Sequence, residues 1–209
     1  MSTLFLTSSI GSVIADITKH IPAEKRKMVF VTTASEAEQK ERGWLANDRK
    51  SLVGGGFDVT DYTFTGKDAA TIRKDLGTYD LICVEGGNTY FLMQEIQRSG
   101  CAEVLKELTE SGIIYIGSSA GSIVACPTIG WTGRLDDPDK APNLVGRDGL
   151  GLVDFLVFPH WGRVDVAARH AQHNVPLLQK EPYPVILLSD SQYVLVEGDR
   201  CRIRDVADA

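Results

Sequence analysis

Apolar and polar positions along the chain follow two alternating rhythms. Short apolar, β-branched runs recur at Leu4 to Thr7, Met28 to Thr32, Val59 to Phe64, Leu81 to Val84, Ile113 to Ile116, Leu156 to Phe158, Val185 to Leu188 and Tyr193 to Val196. Runs of this length bounded by polar residues predict strands. Between them, apolar residues fall at helical spacing. Ile14, Ile17 and Ile21 follow Gly11-Ser12, while Phe91, Leu92 and Ile96, then Val104, Leu105 and Leu108, suit one or two helices joined near Ser99-Gly100. Strand and helix alternating in this way imply right-handed crossovers and a mostly parallel sheet with helices on both faces, an α/β fold. Ligands in that architecture sit beyond the carboxyl ends of the strands. Past Ala125 the rhythm lapses, and Pro127 to Arg147, carrying Gly130, Gly133, Pro138, Pro142 and three aspartates, reads as a surface loop, either a lid or an acidic solvated connection.

Composition narrows the class. At 209 residues the chain can bury one sizeable core, and with no Pro/Gly/Ser-rich linker in sight it is expected to form a single domain over residues 1–209. No apolar run approaches the roughly 18 residues that cross a bilayer. Met1 to Leu6 reads as a first strand and not as a signal peptide, so the cytoplasm is the expected location. Cys83, Cys101, Cys126 and Cys201 are widely spaced without a C-x-x-C pair, which argues for reduced thiols and against a zinc site or a disulfide framework. A net charge of −6 without a long basic cluster argues against nucleic acid. Small-molecule or peptide chemistry fits better.

The most informative segment is Gly117-Ser118-Ser119-Ala120-Gly121, set between the run ending in Ile116 and the small-residue stretch Ser122 to Ala125. Strand, sharp turn and helix with a serine at the apex are the layout of a nucleophile elbow. Glycines two positions either side permit a cramped turn, and the new helix aims free N–H groups at whatever Ser119 attacks. The pentapeptide alone also fits a glycine-rich loop that only turns or that cradles a phosphate.

A nucleophilic serine needs a base. His160 closes the apolar run Phe155 to Pro159, so its imidazole should emerge at a strand end, whereas His20 lies at the polar end of the first helix. His170 and His173, at i and i+3 in a helix after Val164, read as a solvated face in preference to a metal pair. The group that orients the imidazole should also lie at a strand end. Asp190, after Pro184 to Ser189, meets that condition; Asp154 is too far from His160, because six extended residues span about 20 Å.

With Val84-Glu85-Gly86-Gly87-Asn88-Thr89, the elbow, Ala125-Cys126-Pro127-Thr128-Ile129 and Phe158-Pro159-His160 in this order, the chain resembles the peptidase E (aspartyl dipeptidase) and cyanophycinase family of serine peptidases, and most closely its shorter peptidase E-like members. The resemblance implies an αβα sandwich related to class I glutamine amidotransferases, a flavodoxin-like three-layer arrangement. It implies Ser119 as nucleophile, His160 as base and then acid, the N–H groups of Gly87 and Ala120 as the oxyanion hole, and Asn88 as a substrate contact. The family's acid, usually Glu, aligns with Asp190; Ser191 or a water is the alternative. Serine, acid and histidine also occur in α/β-hydrolases, but there the acid precedes the histidine.

The resemblance further implies dipeptides with an N-terminal Asp as substrates, which calls for a positioned cation: Arg163 or Arg169 past His160, or Arg134 or Arg147 on the loop. Alternatives are hydrolysis of another amide, such as a β-aspartyl or cyanophycin-type peptide, and a non-catalytic binding or stress protein on the same fold. No motif calls for a metal, a nucleotide or a flavin, so no cofactor is expected. Monomer and homodimer are both compatible with the sequence.

Overall fold

A computed structural model describes residues 2–38, 42–133 and 135–206. Seven strands form one sheet: β1 (Thr3–Thr7), β2 (Lys27–Val31), β3 (Asp58–Tyr62), β4 (Leu81–Val84), β5 (Ile114–Ser118), and, from the far end of the chain, β8 (Gln192–Glu197) and β9 (Arg200–Asp205). Their spatial order is β3-β2-β4-β5-β1-β8-β9. The first five are mutually parallel, and β8 and β9 close the edge as an antiparallel hairpin. β6 (Leu156–Phe158) and β7 (Val185–Leu187) form a separate parallel pair.

The central strands are buried on both faces, and their side chains alternate between two cores. Leu4, Leu6, Val29, Val31, Ile82, Val84 and Tyr115 point into one. Phe5, Met28, Phe30, Leu81, Cys83, Ile114 and Ile116 point into the other. That period of two is the pleat of a strand, and continuous apolar runs are what a sheet covered on both sides requires. α1 (Ile10–Ile17) and α2 (Gly43–Gly54) cover the second core through Ile10, Val13, Ile14, Ile17 and Leu52. α3 (Ala69–Leu76), α4 (Thr89–Ser99), α5 (Ala102–Glu110) and α6 (Ala120–Val124) cover the first through Ile72, Leu92, Ile96, Leu105 and Ile123. Each such fully buried side chain contributes roughly 1.5–3 kcal/mol. The break between α4 and α5 falls where expected, at Gly100, whose φ of 68° ends α4 in a left-handed cap.

The eight predicted strands are all present within one or two residues at their ends. β9 is additional: in Arg-Cys-Arg-Ile-Arg-Asp every residue from Arg200 to Arg204 is exposed, so this edge strand carries no apolar signature. After β6 the chain continues through α7 (Val164–Arg169), a π-helical turn at His170–Asn174 and α8 (Val175–Leu178). His170 is buried, against the solvated face expected for it, because its ring packs 4.7 Å from that of Phe158.

The segment after Ala125 is also less solvated than expected. Trp131 is fully buried and meets Phe158 edge to face at 5.0 Å, and Ile129, Thr132 and Ala141 are buried with it. Four bonds pin the segment to the start of α4: Asn88 Nδ2 to the Asp137 carbonyl, the Thr89 N–H to Asp136 Oδ2, Tyr90 Oη to the Gly133 carbonyl, and Thr132 Oγ1 to Tyr90 Oη.

Candidate active site

The parallel strands β1, β4 and β5 are neighbours in the sheet and end together, so Ser8, Glu85-Gly86-Gly87 and Ser119 share one rim. Ser119 has φ 47° and ψ −106°, a conformation rare outside glycine. Two glycines make it attainable. A methyl group on Gly121 would lie 1.9 Å from the Val84 carbonyl oxygen, and one on Gly117 would lie 2.7 Å from the Gly121 backbone. Helix α6 therefore starts in contact with β4 and β5, and the elbow is fixed at both ends. The Ser119 N–H donates to the Thr7 carbonyl at 3.0 Å, and its own carbonyl accepts from Ser122 and Ile123.

β6 and β7 deliver the other two groups. Their register pairs Phe158 with Leu187, and the ladder continues as Leu188 N–H bonds the Phe158 carbonyl and Trp161 N–H bonds the Leu188 carbonyl. His160 and Asp190 thus leave the same end of the pair. His160 Nε2 lies 3.0 Å from Ser119 Oγ, and His160 Nδ1 lies 2.8 Å from Asp190 Oδ1. Like Ser119, His160 has a positive φ, 60°. Its hydrogen bond holds the Asp190 carboxyl below the usual carboxylate range; burial opposes this, and the Ser8 hydroxyl and the Arg163 charge reinforce it. Ser191, the alternative partner for the histidine, instead donates to Asp205 Oδ1 at 2.8 Å.

Ser8 is a member that the sequence reading missed. Its hydroxyl donates to Asp190 Oδ1 at 2.6 Å and accepts the His160 backbone N–H at 2.8 Å. The only signal for it was a polar residue at the end of a central strand.

Gly87 has φ 132°, and a methyl group there would lie 2.4 Å from the Ala34 carbonyl. Among the described residues no hydrogen bond uses the N–H of Gly87 or of Ala120, the two donors expected for an oxyanion. Asn88 is placed differently from a substrate contact: its Oδ1 accepts the Phe91 N–H at 2.9 Å, capping α4, while its amide holds the Asp137 carbonyl. It is buried and does not line the cavity.

That cavity, of about 460 Å³, opens beside Ser119 and His160. Arg163 lines it but is bound in a fork to Asp165, at 3.0 and 2.5 Å, with Asp190 3.8 Å away. Arg169 lines it too and forms no ion pair among the described residues. Arg147 stacks over Tyr90 at 5.0 Å, and Arg134 lies outside the described residues. Four carboxyl groups, from Glu38, Asp48, Glu85 and Asp136, line it as well, beside the apolar side chains of Trp44, Leu135 and Val166. Burial pushes Glu85 up to about 8 and Asp48 up to about 6. It raises Asp136 as well, against the hydrogen bonds from Thr89. No group of three or more His, Cys, Asp or Glu side chains among the described residues is arranged to hold a metal ion. No helix among them is long and apolar enough to cross a membrane.

Comparison with known proteins adds to this geometry. Residues 4–204 match the model for peptidase family S51. A protein of Listeria innocua named an uncharacterized peptidase is 37% identical over 169 residues, 78% of each chain. A peptidase E of Streptomyces coelicolor is 29% identical over 198 residues, 92% of this chain and 76% of that one. Among solved structures, a putative peptidase E from Listeria monocytogenes superposes with a TM-score of 0.89 at 28% identity, covering 99% of both chains.

Proposed function

Because this chain belongs to peptidase family S51 and is a serine peptidase, we propose that it hydrolyses short peptides, dipeptides with an N-terminal Asp foremost, through an acyl-enzyme formed on Ser119. The observation that carries this reading is the unbroken relay of 3.0 Å from Ser119 Oγ to His160 and 2.8 Å from His160 to Asp190 on a strained elbow.

His160 Nε2 takes the Ser119 proton as Oγ attacks the scissile carbonyl, and Asp190 holds Nδ1–H so that Nε2 is the free base. The tetrahedral oxyanion forms at the N–H groups of Gly87 and Ala120; loss of one such donor typically costs about 3 kcal/mol of barrier. His160 then protonates the departing amine, and water repeats the cycle to release the acid. No step calls on a cofactor.

The cavity has the volume of a small-ligand site, which supports a short peptide over a polymer laid along a groove. For the side chain of an N-terminal Asp, Arg169 is the better placed cation, since the Arg163 charge is shared between Asp165 and Asp190. A panel of Asp-X, Glu-X and Ala-X dipeptides tests the substrate. Preferential cleavage of Asp-X supports the assignment, and cleavage of the others at equal or greater rate removes it while leaving the serine chemistry.

A further inference from the structure

Four carboxyls in one cavity are not in themselves a binding site; Glu85 distinguishes this cluster. It follows the last residue of β4, is 1% exposed and lines the cavity. Its Oε1 accepts the Gly86 N–H at 2.7 Å. Its Oε2 has no hydrogen-bond partner among the described residues, although the Ser118 side chain alongside favours the charged form. A buried acceptor without a partner is costly, and one facing a cavity is satisfied by whatever enters it.

We propose that Glu85, supported by Asp48, anchors the free α-ammonium of the peptide's N-terminal residue, so that hydrolysis requires an unblocked amino terminus. This rests on the serine-peptidase reading of the same site. A methyl group on Gly86 would lie 3.2 Å from Ser119 Cβ and 3.8 Å from its Oγ, so the loop carrying Glu85 is in contact with the nucleophile. In an N-terminal residue the amino nitrogen sits about 2.5 Å from the scissile carbon. It must therefore land beside Ser119, where that loop lies. A lysine side-chain ammonium extends several ångströms further and calls for a deeper recess.

The charges agree with such a guest. Empty, the pair keeps a proton, because burial and the Asp48 charge both oppose ionisation of Glu85. An ammonium brings three donors and a positive charge, satisfies Oε2 and lets Glu85 ionise, releasing that proton. Binding an N-terminal Asp then uses both signs in the cavity, carboxylates for the α-ammonium and arginine for the side chain. Two further carboxyl groups, Glu38 and Asp136, line the same cavity.

Calorimetry on the Ser119→Ala protein reads this subsite without turnover, with Asp-Ala, N-acetyl-Asp-Ala and N-acetyl-Lys-Ala as probes. Asp-Ala should bind at least tenfold more tightly than its acetylated form, with an enthalpy that varies with the ionisation heat of the buffer as a proton leaves. Glu85→Gln in the same background, which keeps the bond to Gly86, should abolish that preference, and Asp48→Asn should reduce it. Equal affinity for blocked and free peptide, no binding of either, a preference that survives Glu85→Gln in a variant with unchanged circular dichroism, or tightest binding of N-acetyl-Lys-Ala would overturn the proposal. Persistent hydrolysis by Ser119→Ala would instead refute the acyl-enzyme reading, and the two failures are thereby told apart.

Discussion

The Ser8 hydroxyl donates to Asp190 Oδ1 at 2.6 Å, joining the end of β1 to the carboxylate that faces His160. The same oxygen accepts the His160 backbone N–H, so one side chain sets the position of both the imidazole's main chain and its partner acid. Ser8→Ala should lower kcat by about tenfold with KM nearly unchanged, the signature of an interaction that matters in the transition state. Ser8→Thr, which keeps the hydroxyl, should recover part of the loss. Steady-state kinetics on a cleaved dipeptide check both.

Asp190→Asn preserves shape and one acceptor oxygen but removes the negative charge proposed to stabilise the imidazolium, and its amide NH2 can face Nδ1 and select the wrong tautomer. In the serine-protease example of this change kcat falls about 10⁴-fold; here a loss of at least 10²-fold is expected. A kcat within threefold of wild type would show that another group orients His160.

Gly87→Ala should fail on two counts. Its φ of 132° is hostile to any side chain, and the new methyl would meet the Ala34 backbone at 2.4 Å. Relief requires the loop to shift, carrying the proposed oxyanion donor with it. A stability loss of about 1–3 kcal/mol, read by thermal melting, should accompany a kcat reduction of about 10²-fold or more.

Glu85 makes stability depend on pH in a defined direction. Its folded-state value, about 8, lies above the ordinary 4.5, so between those values the native protein holds a proton that the unfolded chain gives up. Stability therefore falls as pH rises through that window. Asp48, raised to about 6, adds to the lower part of it. Glu85→Gln removes the larger contribution, and its melting temperature should decline less between pH 5 and pH 8 than that of the wild type. The difference corresponds to roughly a few kcal/mol at the alkaline end. Parallel melting curves against pH would contradict it.

Much of this architecture was legible because strands buried on both faces cannot avoid continuous apolar runs, as in Leu81 to Val84 and Ile114 to Ile116. β9 was not, since its exposed arginines serve the solvent side of an edge. Ser119 was legible from glycine spacing, and His160 and Asp190 from their places at strand ends. The register of β6 with β7 then brings the last two side by side, a relation that neither run carries by itself. Ser8 and Glu85 escaped for another reason: their roles depend on which strands are neighbours, and only the order β4-β5-β1 places them beside the elbow. The Pro127 to Arg147 segment is exposed at Asp139, Asn143 and Val145 to Arg147, as a surface loop should be, but its composition hides its anchored part. Its aspartates suggest solvent, whereas Trp131 is buried against Phe158 and Asp136 receives the Thr89 N–H.

The central claim is that Ser119 is the nucleophile activated by His160, and labelling with a diphenyl phosphonate followed by peptide mapping tests it most directly. One equivalent should attach to the peptide containing Ser119, with parallel loss of dipeptide hydrolysis, and His160→Ala should slow both by about 10³-fold or more. Ser119→Ala should neither label nor hydrolyse. Attachment at another residue, or a Ser119→Ala protein that cleaves peptides at the wild-type rate, would contradict the account.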